Sequence, residues 1–310
     1  MDEARASRAL AGASVAIGNF DGVHLGHRAL VTAARARAAA RGRHAGVLTF
    51  EPHPVRVLRP ALAPPLLTPL PRKLELLEAI GLEACLVQPF DLTYAATPAD
   101  EFAARDLAGA LGCAEIVVGW DFTAGHERAR VDTLRPLLAA HGIGLHVVEP
   151  VTEGGLVVSS TKIREFLLEG NVEAAALLLT RPHDLDGVVE RGAGRGRGFG
   201  FATANVRTEG LLPANGVYAV RARVDGAWHD GVANVGVKPT VESDGKRALE
   251  VHLLDFDGRD LHGASARVAF LARLREERRF PSVDALRAQI AADAERARAL
   301  LAGGAPEAPM

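Results

Sequence analysis

Cysteine is almost missing from this 310-residue chain: there are two, Cys85 and Cys113. Each stands among apolar neighbours, so the pair reads as two reduced, buried thiols rather than a disulfide or a metal site. Neither sign of charge dominates. Lys and Arg number 36 against 38 Asp and Glu, a net charge of -2, and neither half carries a basic block, which speaks against nucleic acid as the main partner. The scattered arginines fall in Ala/Arg-rich helical stretches and read as solvated helix faces. No apolar run approaches the ~20 residues of a membrane-spanning helix. Residues 1–14 carry charges but not the apolar core of a secretory leader. The expectation is a cytoplasmic protein with no membrane partner. There is no self-similarity at the roughly 20–50-residue periods of repeat proteins.

What is present is enough length for two domains with separate cores, and two kinds of periodicity. The first half alternates short apolar strands (Val15–Ile17, Gly46–Phe50, Ala84–Val87, Glu115–Val118 and Leu145–Val148) with helical patterns over Arg72–Ile80, Pro98–Ala110 and Thr133–His141. That order predicts a parallel sheet covered on both faces, with ligands beyond the carboxyl ends of its strands. Prolines at 52, 54, 60, 64, 65, 69 and 71 predict a long surface loop, since proline continues neither a strand nor a helix. After Thr161 a helix is expected to run to Gly170, and Asn171 caps a second that reaches Leu179. From Gly187 the period changes. In Gly216–Val224, Tyr218, Val220, Ala222 and Val224 fall on one face and Arg221 and Arg223 on the other. Trp228–Val237, Leu249–Phe256 and Ala266–Leu271 are further short strands, which together predict an antiparallel barrel. A helix capped by Ser282 closes the pattern, with Val283, Leu286, Ile290, Ala294, Ala297 and Leu301 at helical spacing.

The chemistry concentrates in a few segments. Gly18-Asn19-Phe20-Asp21-Gly22-Val23-His24-Leu25-Gly26-His27 joins the first strand to the first helix. Such a corner turns backbone N–H groups and a helix N-terminus toward an anion. Two imidazoles three residues apart then face one phosphate, and Gly26 removes a Cβ from its approach. A two-histidine metal site is the competing reading, but no third and fourth ligands stand at a recognisable spacing. Asp21 is left with two roles, a contact near a nucleotide or a bond that holds its own turn. Further along come Thr49-Phe50-Glu51-Pro52-His53-Pro54, Val118-Gly119-Trp120-Asp121-Phe122 and Ser159-Ser160-Thr161-Lys162-Ile163-Arg164. Ser160 and Thr161 open a helix where hydroxyls and amides can meet an anion, and Arg164 can pair with phosphate. In the second half, Gly192, Gly194, Gly196, Gly198 and Gly200 alternate with Arg195 and Arg197 ahead of Ala202-Thr203-Ala204-Asn205, a composition suited to cradling phosphates.

In that order and spacing the first four motifs resemble the adenylyltransferase half of the bacterial bifunctional riboflavin kinase/FMN adenylyltransferase (FAD synthetase) family. The stretch from Gly187 resembles the start of its kinase half. The likeness runs from about Val15 to Leu301. It implies a Rossmann-like α/β nucleotidyltransferase domain over residues 1–182, whose parallel sheet carries the HxGH motif. An antiparallel β-barrel riboflavin kinase domain with a C-terminal helix then spans 183–302. The tail, 303–310, has no core-forming pattern and is expected to be disordered.

The resemblance further implies that Gly18, Asn19, Phe20, His24, Gly26, His27, Ser160, Thr161 and Arg164 bind ATP for adenylyl transfer, with His24 and His27 catalytic. Pro52, His53, Pro54, Asp121 and Phe122 would contact flavin. Gly194, Arg195, Gly196, Thr203 and Asn205 would bind the kinase ATP, Thr203 and Asn205 would ligate Mg²⁺, and Glu250 would take the proton of the riboflavin hydroxyl. The implied small molecules are riboflavin, FMN, FAD and ATP.

The chain departs from the family pattern in several places. Ala124 stands where a second aromatic is usual, and Ala202 replaces a proline. His183 and His262 replace tyrosines, Ala193 an acidic residue and Val241 a phenylalanine. These departures keep two alternatives in view: an FMN adenylyltransferase with an impaired or altered-substrate kinase half, and a non-catalytic flavin-binding regulator.

Overall fold

In the computed structural model, residues 10–190, 203–237, 247–256 and 259–303 are described. The chain divides into two units, Met1–Pro64 with Thr68–Val158, and Pro65–Leu67 with Ser159–Met310.

The first unit is built on a five-stranded parallel sheet of order β3-β2-β1-β4-β5: β1 Ser14–Ile17, β2 Ala45–Glu51, β3 Ala84–Pro89, β4 Glu115–Gly119 and β5 Gly144–Val148. Strand residues alternate between two cores, as the pleat requires. Ala16, Val47 and Val117 pack under α1 (Leu25–Ala39) together with Leu76 and Leu77 of a later helix. Val15, Ile17, Leu48, Ile116 and Val118 face the opposite layer, which includes Phe102, Leu107, Leu134 and Leu138.

The proline-rich stretch is more ordered than a loop. Pro54 takes the first position of a short helix, α2 (Pro54–Leu58), one turn of 3₁₀ helix follows at Pro60–Leu62, and Pro71 sits in the first turn of α3 (Leu70–Ala79). Proline is tolerated there because the first-turn N–H groups have no intrahelical acceptor. The helix expected from Pro98 widens at Phe102–Ala110, where Leu111 N–H reaches back to Asp106 O. Both cysteines are free, and burial pushes their thiols up, Cys85 to about 11 and Cys113 to about 12.

The second unit opens with α5 (Ser160–Glu169), preceded in the first unit by α4 (Val131–Ala140). It continues through α6 (Val172–Leu179) into a closed antiparallel barrel. Asn171 caps α6 by accepting from Ala174 N, and Gly170 ends α5 at φ 82°, a backbone conformation suited to glycine. The barrel strands are β6 His183–Glu190, β7 Thr203–Thr208, β8 Gly216–Val224, β9 Ala227–Val237, β10 Arg247–Leu253 and β11 Ser265–Arg275, in the order β6-β7-β10-β9-β8-β11. Tyr218, Val220 and Phe270 fill the interior, with the Tyr218 and Phe270 rings edge to face at 5.5 Å.

Val217 and Ala219, on the other face of β8, are also buried, because α7 (Val283–Ala302) lays Ala294, Ala297 and Leu301 over them. Ser282 caps α7 by accepting from Ala285 N. Asp293 anchors the helix to β11 through Arg275, Nη2 to Oδ2 at 2.8 Å. The expected tail lies, from residue 304, outside the described residues.

One ionic cluster fixes α1 on the sheet of the first unit. Buried Glu115, at the start of β4, pairs with Arg37 and with Arg41 (2.8 Å) and accepts from Ser14 Oγ (3.4 Å). Burial pushes this carboxyl up, but the two guanidiniums outweigh it and hold the pKa below the usual range. Its contribution is therefore present above the ordinary carboxylate pKa and is lost as pH falls through the depressed folded value. Since both arginines are partly exposed, Glu115→Gln should lower the unfolding free energy by about 1–3 kcal/mol at neutral pH. Urea titrations should show the gap between variant and parent closing below pH 4.5.

Candidate functional site

Between Ile17 and Leu25 the backbone must reverse from strand to helix. It does so through left-handed conformations at Phe20 (φ 51°), Gly22 (φ 94°) and Val23 (φ 43°). Such a conformation costs a non-glycine residue about 1–3 kcal/mol. Burying the Phe20 and Val23 side chains in the core under α1 returns a comparable amount, about 1.5–3 kcal/mol each. Asp21 is buried and reaches across to residue 68: its Oδ1 accepts from Thr68 N (2.9 Å) and Thr68 Oγ1 (3.3 Å), and Thr68 Oγ1 accepts from Gly22 N (2.8 Å). The turn is thus held through Thr68, a partner absent from both roles left open for Asp21. Gly18 N donates to Leu48 O, and Asn19 O accepts from Thr49 Oγ1.

The turn delivers His24 as the N-cap of α1. Its Nδ1 accepts from His27 N at 3.4 Å, so the ring carries its proton on Nε2 while that bond is made. The two imidazoles stack with centroids 3.6 Å apart and planes 17° off parallel, and the Phe20 ring borders His27 at 5.1 Å. A Cβ on Gly26 would meet His24 Cε1 at 3.2 Å and Nδ1 at 3.3 Å, so glycine is also what lets the His24 ring lie over the first turn. Desolvation, then His24, then Lys73 hold the His27 pKa well below the usual 6.5. Its Nδ1 is buried with no hydrogen-bond partner among the described residues. An Nε2–H donor at the N-terminus of a helix suits an oxyanion.

Around this corner, His53 caps α2 by accepting from Val55 N at 3.3 Å, between exposed Pro52 and half-buried Pro54. Phe122, after exposed Trp120 and Asp121, is half-buried against the same core as Phe50 and Tyr94. Phe50, Phe90 and Tyr94 form an aromatic group with centroids 5.7–6.4 Å apart. Ala124 is part of the core, and the Gly119–Arg130 segment is tied to Thr97 and Ala99 through His126 N and Glu127 Oε1.

Lys73, in the first turn of α3, is only 3% exposed. It carried no motif. The signal for it is spacing: residues 73, 76, 77 and 80 share one helical face, and the other three are Leu76, Leu77 and Ile80.

Ser160, Thr161 and Arg164 belong to the second unit. Ser159 caps α5 through Lys162 N (3.2 Å), and Arg164 Nε donates to Pro65 O (2.9 Å). In the barrel, Asn205 of β7 pairs with Glu250 of β10, Glu250 pairs with Asn234 of β9, and Thr203 pairs with His252. Directly paired residues point to the same side of a sheet. Thr203, Asn205, Glu250 and Asn234 therefore share the outer face, while Ala204, Val206, Leu249, Val251, Ala233 and Val235 are buried on the inner one. Asn234 had no sequence signal of its own; its place follows from register. His183 is inside the barrel, its Nε2 bonded to Leu211 O (2.8 Å) and its ring stacked with Phe270 at 6.1 Å. That departure is a satisfied core residue. Gly194, Arg195 and Gly196 lie outside the described residues, as do Gly192, Gly198, Gly200, Arg197, Ala193, Ala202 and Val241.

A depressed His27 pKa has a testable sign. The unfolded chain binds this proton near pH 6.5 and the folded one at lower pH, so stability falls as pH drops below 6.5. NMR titration should find His27 neutral through pH 6.5, and His24→Ala should raise its pKa.

The FAD synthetase family model matches residues 6–162, and the riboflavin kinase family model matches 179–301. The bifunctional riboflavin kinase/FMN adenylyltransferase of Pseudomonas fluorescens is 40% identical, with 95% of this chain and 94% of that protein covered. The protein of the same description from Bacillus subtilis (strain 168) is 36% identical, covering 91% and 90%. A crystal structure from Streptococcus pneumoniae, described as a macrolide-efflux protein, is 32% identical with a TM-score of 0.82, covering 93% of this chain and 94% of that one. Among the described residues here, no helix is long and apolar enough to cross a membrane. The chain belongs to the bifunctional riboflavin kinase/FMN adenylyltransferase family.

Proposed function

We propose that this protein makes FMN and then FAD, with riboflavin phosphorylation assigned to residues 183–302 and FMN adenylylation to residues 1–182. In the first reaction the riboflavin 5′-hydroxyl attacks the γ-phosphorus of ATP, ADP leaves, and Glu250 accepts the hydroxyl proton. In the second, a phosphate oxygen of FMN attacks the α-phosphorus of a second ATP and pyrophosphate leaves. That transfer needs in-line positioning and neutralisation of growing charge more than covalent chemistry. His24, through Nε2–H, and His27 are assigned to the ATP phosphates, and Gly18, Asn19, Phe20 and Gly26 to ATP binding. Ser160, Thr161 and Arg164 are assigned to ATP binding for adenylyl transfer on sequence alone. Pro52, His53, Pro54, Asp121 and Phe122 are read as the flavin side.

The observation that carries the reading is the stacked His24–His27 pair at the start of α1, capped by His24 and desolvated at His27. For the kinase half, support comes from the row Asn205–Glu250–Asn234 on the outer barrel face. It keeps the proposed base beside the proposed ligands and weighs against an impaired kinase. Thr203 and Asn205 offer neutral oxygens in line with a carboxylate, a donor set that suits Mg²⁺ shared with substrate phosphates. Such an ion would neutralise charge on the transferring phosphoryl group. Gly194, Arg195 and Gly196 are assigned to the phosphates of the kinase ATP on sequence alone. We assign this work to the cytoplasm, a reading that rests on ATP as the shared substrate.

His27→Ala should cut FAD formation from FMN by roughly 10²–10⁴-fold and leave FMN formation from riboflavin near the parent rate. Glu250→Gln should do the reverse. Chromatography of flavins from reactions given riboflavin or FMN separately reads both. Loss of both activities from either substitution would sink the two-site assignment.

A further inference from the structure

Lys73 begins an amphipathic helix, yet its side chain lies with the buried stripe rather than in solvent. Leu76 and Leu77 of that stripe pack with Phe20, Val23 and Val47. An ammonium in such a place loses hydration worth several kcal/mol unless a counter-charge replaces the water. Among the described residues, no carboxylate stands within ion-pair distance of Lys73 Nζ and no hydrogen bond is made to it. The charged and titratable groups that face it are Glu51 at the end of β2, Asp21 in the β1–α1 turn, the Cys85 thiol on β3 and the His27 ring on α1. Asp21 already spends Oδ1 on Thr68. Burial lowers the Lys73 pKa, against the opposing pull of Glu51 and Asp21.

Topology gives the direction. In a parallel α/β unit the helix after a strand starts at the carboxyl end of the sheet, the ligand edge. α3 follows β2 and starts there, as α1 does with His24 and His27. Lys73 and the imidazole pair thus occupy one corner of one unit, where Leu76 and Leu77 of α3 share a core with Phe20 and Val23 of the β1–α1 turn.

We propose that Lys73 is a phosphate-binding residue of the nucleotidyl-transfer corner, its ammonium kept without a partner in the protein so that a substrate oxyanion becomes its counter-ion. The inference rests on the adenylyltransferase reading of that corner. Two substrates carry the chemistry, the polyphosphate of ATP and the phosphate of FMN.

The test uses the full chain with Lys73→Met and Lys73→Arg, and follows FAD formation with ATP and FMN varied in turn. Riboflavin phosphorylation by the same preparations serves as a control for folding. Lys73→Met should lose about 10–100-fold in kcat/KM for FAD formation. The substrate whose KM rises identifies the phosphate met. Lys73→Arg should recover part of the loss, and riboflavin phosphorylation should stay within about twofold of the parent. The acid limb of the Lys73→Met pH profile should move upward, because a cation that lowered the His27 pKa is gone.

The proposal is overturned if FAD formation by Lys73→Met stays within about twofold of the parent. It is also overturned if both activities fall together, or if the arginine variant does no better than methionine. A parent chain that forms no FAD defeats the underlying reading instead. Calorimetry with inorganic pyrophosphate and with FMN still decides the lysine, since equal affinity for both ligands in parent and Lys73→Met overturns it.

Discussion

The left-handed backbone between β1 and α1 is the constraint on which the adenylyl-transfer corner depends. Phe20 and Val23 adopt that conformation because their side chains are held in the core, and Asp21 and Gly22 are latched to Thr68. If the turn relaxed, His24 would leave the N-cap position, the His27 amide would lose its acceptor, and the rings would no longer stack. The strain therefore buys geometry, and its source is the hydrophobic core, remote from any ligand. The far end of α1 is secured independently, by Arg37 and Arg41 on Glu115. The helix that presents the imidazoles is held at both ends.

The element pattern was legible because both of its periods are strict. Alternation in Gly216–Val224, the apolar strands of the first half and the caps Asn171 and Ser282 all act within a few residues, and local sequence reports local physics. Two things were not legible. Proline reads as a breaker, but at the first turn of a helix it breaks nothing, so α2 and the start of α3 were taken for loop. Burial of a polar residue depends on what the fold packs over it. Hence His183 read as a departure from the family pattern although it satisfies a carbonyl inside the barrel.

The candidate site divides along the same line. His24, His27 and Gly26 stand a few residues apart and announce themselves. Thr68 as the partner of Asp21, Asn234 as the neighbour of Glu250 and the buried stem of Lys73 come together only through tertiary structure. Residues 73, 76, 77 and 80 show that the last of these left a trace, because a lysine on an apolar stripe is a mismatch that helical spacing exposes.

The barrel strands that carry Asn205, Glu250 and Asn234 alternate these groups with Ala204, Val206, Leu249, Val251, Ala233 and Val235 on the interior side. Slipping β10 by one residue would bring Glu250 into the hydrocarbon interior and Leu249 out to the polar row at the same stroke. Catalytic alignment and folding thus obey a single parity rule. Chain-length changes within these strands should be tolerated, if at all, only in steps of two, and a variant that loses the proposed base through an odd step would lose the barrel with it.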